Sequence, residues 1–117
     1  MRQAVGNGFD LSEALARTDG DLELLQEMGQ RFLQELDDLL DDMRWAISGA
    51  NSAALSVAAG DLRGSASTFG AHAAAAAALR LEQMGESGVF DGADRVLAEL
   101  ESSLARLRPA LESLADS

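Results

Sequence analysis

The residues best placed to do chemistry lie in one run, Gly60-Asp61-Leu62-Arg63-Gly64-Ser65-Ala66-Ser67. A helix turns about 100° per residue, so Gly60 falls nearly opposite Leu62. With the apolar Leu62 inward, Gly60, Arg63, Gly64 and Ser67 share one outward strip, and Asp61 lies beside it. That strip offers a cation and two positions without side chains, where another surface can approach the backbone closely. Glycine inside a helix costs roughly 1 kcal/mol relative to alanine, so two in one helix call for a compensating reason. Close packing of a neighbouring helix is one such reason. Clearance for a binding partner is the other.

His72 is the only histidine. It sits past the break at Gly70, near the start of the next helix and among alanines, with no adjacent cation. A helix N-terminus disfavours the imidazolium form, so a surface or capping role is expected. Asp37, Asp38, Asp41 and Asp42, with Glu35 alongside, put carboxylates four apart on a helix. Calcium and magnesium take oxygen ligands, but a rigid helix gathers few carboxylates about one point and no glycine-bearing ligand loop is present. A solvated acidic face is the expectation. One histidine cannot supply the two Glu-x-x-His pairs of a di-iron bundle. Serine, histidine and aspartate are present, but no strand-turn-helix elbow surrounds a serine. No catalytic residue, metal or cofactor is assigned, and the chain is expected not to be an enzyme.

Composition narrows the partners. The net charge is -11, and all nine basic residues are arginines. Such a surface repels nucleic-acid backbones and anionic lipid, which leaves a protein with a basic or mixed rim as the better partner. Cysteine is absent, which excludes disulfides and thiolate chemistry and suits a reducing compartment. No apolar run of about 18 residues and no basic-then-apolar leader is seen, which argues against membrane insertion and signal-peptide secretion. The expected location is the cytoplasm.

The elements that must carry the strip are helices. At 117 residues and 47% hydrophobic, the chain suits one domain with a core of its own, spanning 1–117. Residues 1–8 are expected to be loosely ordered and 113–117 a fraying tail. A short opening helix over 9–16 takes its cap from Asp10 or Ser12. A long helix over about 21–47, capped by Asp19 or Asp21, carries Leu22, Leu25, Met28, Phe32, Leu36, Leu39, Met43 and Ile47 in steps of three or four. Asn51 caps a third helix over 52–68 with Leu55, Ala58, Leu62, Ser65 and Phe69 inward. A fourth helix over 71–84 contains the alanine run Ala73 to Ala78, and residues 85–92 read as a loop. The last helix, from about Ala93, repeats Leu97, Leu100, Leu104, Leu107, Leu111 and Leu114, with Pro109 expected to bend or loosen it near Ala105. Amphipathic helices joined by short breakers predict an all-α, antiparallel up-down four-helix bundle with a short extra N-terminal helix.

The run from Ala58 to Ala71 resembles the signature of the histidine-phosphotransfer (HPt) family. There a histidine is followed by any residue, leucine, lysine, glycine and serine, then by small residues ending in glycine and alanine. Leu62, Gly64 and Ser65 match, and Arg63 stands for the lysine. Phe9 to Leu15, Leu24 to Leu39, Leu79 to Glu82 and Leu97 to Leu107 resemble the family's other helices. Gly60 stands where the family has its phosphoacceptor histidine, and a glycine cannot carry a phosphoryl group.

The resemblance implies a phosphorelay module that binds a response-regulator receiver domain or a sensor histidine kinase without accepting phosphate, as a competitor or scaffold. Gly60, Asp61, Arg63, Gly64 and Ser67 would form its binding surface. Two other readings stand beside it. One is a helical-bundle assembly protein that has left the phosphorelay and self-associates through Trp45 or Val89-Phe90. The other is a true phosphotransfer protein whose acceptor histidine was replaced at Gly60 or relocated.

Overall fold

The computed structural model describes residues 9–116, and every regular element among them is helical: α1 (Leu11–Arg17), α2 (Leu22–Ser48), α3 (Ser52–Thr68), α4 (His72–Ser87) and α5 (Ala93–Ala115). The expected looseness of residues 1–8 lies outside the described residues. Local chemistry sets the helix starts. The side chains of Asp10, Asp21 and Asn51 accept hydrogen bonds from the backbone N–H groups of Glu13, Leu24 and Ala54, each at 3.0 Å. These are donors that a first helical turn leaves unpaired.

Helices α2 to α5 form an antiparallel up-down four-helix bundle. Helix α3 packs on α2 and α4, and α5 on α4 and α2, so the ring closes. The connections at residues 49–51, 69–71 and 88–92 are short enough to force reversals. The 27 residues of α2, at about 1.5 Å of rise each, span the 40 Å long axis. Helix α1 is the short extra element. The Asp10 N–H donates to the Phe69 carbonyl at 3.0 Å, and the Phe9 and Phe69 ring centroids lie 5.9 Å apart.

The inward face of α2 is turned slightly from the predicted stripe. Gly29, Leu40 and Ala46 are buried, whereas Met28, Leu39 and Ile47 pack at the edge of the core and Leu22 is exposed. Gly29 faces inward because bulk from elsewhere fills the space: a Cβ there would lie 3.4 Å from Leu114 Cδ2 and 3.8 Å from the Phe69 ring. On α3 the buried set is Leu55, Ala58, Ala59, Leu62 and Ala66, followed by Phe69, with Ser65 at the margin rather than inside.

One boundary differs from the sequence reading. Helix α4 does not stop at Met84 but runs through a buried Gly85 to Ser87 and ends at the left-handed Gly88. Gly85 serves proximity instead of termination, since a Cβ there would meet the Ser56 nitrogen at 2.6 Å and the Ser52 carbonyl at 2.8 Å. Helix α5 continues unbroken past Pro109, which lies on its exposed side, and reaches Ala115. In the stretch expected to fray, Leu114 is buried and Gln30 Nε2 donates to the Ala115 carbonyl at 3.2 Å.

Candidate functional site

Leu55 and Leu62, both fully buried, fix the rotation of α3 and hence what it shows to solvent. Asp61 and Gly64 are exposed, while Gly60, Arg63 and Ser67 are half-buried. The five residues share the outer side of α3 without forming one open plane. Asp61 lies over the furrow toward α2, which Glu35, Asp38, Leu39 and Ser65 also line. Gly60 and Arg63 lean instead on α4.

The leaning has one cause, Glu82. Arg63 Nε donates to Glu82 Oε1 at 2.6 Å, and its Nη2 reaches Oε2 at 3.4 Å. The carboxylate's hydrogen bond and charge push the Arg63 pKa further up, with Glu86 adding to the field. A Cβ built on Gly60 would lie 3.0 Å from Glu82 Oε2. Gly64 has nothing within 4 Å of where its Cβ would be, so it leaves the surface low. The cation of the strip is therefore present but already compensated, and Gly60 offers no atom that could take a phosphoryl group.

Glu82 is the residue that sequence reasoning missed. It lies 19 positions from Arg63 on another helix, and no spacing rule joins the two. The register of α4 carries the signal: with Ala74, Ala78, Leu81 and Gly85 inward, Glu82 falls at the edge beside α3.

The other candidates lie apart from the strip. His72 is exposed at the start of α4, its Nε2 2.8 Å from Glu13 Oε1, and Arg17 Nη2 donates to Glu13 Oε2 at 2.9 Å. These bonds, Arg17's first, hold the Glu13 carboxyl below its ordinary pKa. The α2 aspartates are all exposed. Arg108 donates to Asp37 at 2.9 Å and Arg44 to Asp41 at 2.7 Å. Among the described residues no three acidic or histidine side chains come together as metal ligands would, and no helix is long and apolar enough to cross a membrane. Trp45 and Val89 are exposed, whereas Phe90 packs against the core.

The family model described as the Hpt domain matches residues 27–110. The chain belongs to the Hpt domain family. The match takes in α2 from its second turn, all of α3 and α4, and α5 as far as Ala110, so α1 lies outside it. No curated protein and no solved structure matches the chain. Membership ties this Hpt domain to phosphorelay signalling, in which such modules meet receiver domains and kinases.

Proposed function

We propose that this Hpt domain docks a response-regulator receiver domain, or the histidine kinase that feeds one, and does not itself accept phosphate. The observation that carries the reading is Gly60, a bare backbone position in the motif place where the family bears its histidine. Around it, Asp61, Arg63, Gly64 and Ser67 supply polar contacts and clearance. Occupancy is the mechanism: the partner's acidic phosphorylation pocket is covered by a surface that cannot react with it. The domain then acts as a competitor or scaffold in the cytoplasm, where its partners work.

The test is transfer of labelled phosphate from a phosphorylated receiver or kinase, run beside a direct binding measurement. Binding without label on the chain supports the reading. Stable label on the chain, at His72 or elsewhere, overturns it.

A further inference from the structure

A groove of about 800 Å³ lies between the second half of α2 and the first half of α3, toward the α2–α3 turn from Gly60. Ala46, Ala54 and Ala58 are among its small lining residues, and Trp45 and Val57 stand along it. Those two are 79% and 64% exposed, the largest exposures among the big apolar side chains described. Water gains nothing from a tryptophan held in the open beside a furrow of alanines. Such a patch, bordered by charge, marks an interaction surface.

The charge at its rim has one sign and is uncompensated. The aspartates of α2 divide by the company they keep: Asp37 is paired with Arg108, and Asp41 with Arg44. Asp42 and Asp61 line the groove and Asp38 lies beside Asp61, and none of the three has an ion pair among the described residues. The neighbouring cation Arg44 is already held by Asp41 and Glu101.

We propose that this groove docks an amphipathic helix of a partner protein, its apolar side chains one turn apart on Trp45 and Val57 and its flanking lysines or arginines on Asp42, Asp61 and Asp38. A furrow between two antiparallel helices with a small-residue floor accepts a third helix by ridge-into-groove packing. A second copy of this chain is disfavoured as the occupant, because each copy brings the same aspartates and a net charge of -11. The groove shares only Asp61 with the receiver-docking surface; Trp45, Val57 and Asp42 lie outside that surface, so Val57→Glu tests the groove apart from the receiver-docking reading.

Trp45 is the only tryptophan, so the chain's tryptophan emission comes from the edge of this groove. The full chain is titrated with a synthetic amphipathic helix carrying leucines at helical spacing and lysine flanks, and with the same peptide carrying glutamate flanks. A saturable blue shift is expected with the first, weakening as salt rises, and none with the second. Val57→Glu, at an exposed site that leaves the core untouched, should weaken binding roughly thirtyfold or more, as loss of a central apolar anchor does. Asp42→Asn with Asp61→Asn should weaken it several-fold, by roughly the amount rim charges carry, and flatten the salt dependence. Val89→Glu, also at an exposed valine but elsewhere, should change nothing. The proposal is overturned by no shift with the lysine peptide, by equal response to both peptides, or by a shift that grows with the chain's own concentration. The last result would assign the groove to a second copy.

Discussion

Arg63 and Glu82 are joined across the seam between α3 and α4, with Nε donating to Oε1 at 2.6 Å, and the same carboxylate flanks the spot where a side chain at Gly60 would begin. One acidic residue thus controls both the charge of the strip and the space beside its centre. Glu82→Gln keeps the shape and removes the compensation, leaving the guanidinium free for an incoming anion. Its affinity for a receiver domain should rise about two- to fivefold at low salt, and Arg63→Ala should lower it by a similar factor, as charges at a solvated rim do. Isothermal titration of the parent and both variants checks this. Three equal affinities would remove Arg63 from the interface.

Gly60→His asks whether one residue accounts for the missing chemistry. The new Cβ would come 3.0 Å from Glu82 Oε2, the mobile end of a flexible side chain, so a small swing of the carboxylate accommodates it. An imidazole hung there has an acceptor beside it to hold one ring N–H, which leaves the other nitrogen free to react. The variant should fold with stability within about 1 kcal/mol of the parent, since it also removes a glycine from a helix interior. It should take labelled phosphate from a phosphorylated receiver or cognate kinase where the parent takes none. A folded variant that binds but stays unlabelled would show that more than the acceptor has been lost.

The helices were legible in the sequence because their signals are local: Asp10, Asp21 and Asn51 cap where their side chains reach the next turn, and leucine spacing along α5 turns one face inward. What was not legible depends on neighbours distant in sequence. Gly85 reads as a breaker until Ser52 and Ser56 are seen against it, and the inward place of Gly29 follows from Leu114 and Phe69, which fill the space beside it. In the site, the motif gave the positions of Gly60, Arg63 and Gly64, and Leu62 gave their side of the helix. The partner of Arg63 and the partner of His72 both come from other helices, 19 and 59 residues away, so no pattern within one helix could supply them.

Two glycines, one buried where α4 meets α3 and one exposed on α3, should respond in opposite ways to alanine. At Gly85 the added methyl would meet backbone atoms of Ser56 and Ser52 at 2.6 and 2.8 Å, and backbone cannot rotate aside, so α3 and α4 must part. Overpacking of this kind costs about 1–3 kcal/mol, or roughly 4–12 °C of Tm in a domain this size. At Gly64 the methyl meets nothing within 4 Å, so helix propensity alone acts and should add up to about 1 kcal/mol. Thermal unfolding followed by circular dichroism checks both signs. If clearance is the reason for Gly64, the more stable Gly64→Ala should bind a receiver more weakly, whereas unchanged binding would leave that glycine without a role at the interface.

Acid should loosen α1 before it unfolds the bundle. Hydrogen bonds from Arg17 and then His72 depress the Glu13 pKa below its ordinary value of 4.5. A carboxylate with a depressed folded-state pKa stabilises the folded form fully above the unfolded value, and that contribution is lost as pH falls through the folded value. The Glu13 tie between α1 and the start of α4 is therefore intact at neutral pH and weakens below pH 4.5, when the carboxyl takes up a proton. Other carboxylates titrate in the same range, so the informative quantity is the difference between the parent and Glu13→Gln, which holds no titrating group at that position. Protection of the Ala14 and Leu15 amides, taken as the exchange rate relative to the intrinsic rate at each pH, should fall on acidification more steeply in the parent than in Glu13→Gln. The buried amides of α3 around Leu62 should follow one curve in both proteins. Matching acid profiles at Ala14 would mean that Phe9 and the Asp10 bond to Phe69 hold α1 in place without the help of Glu13.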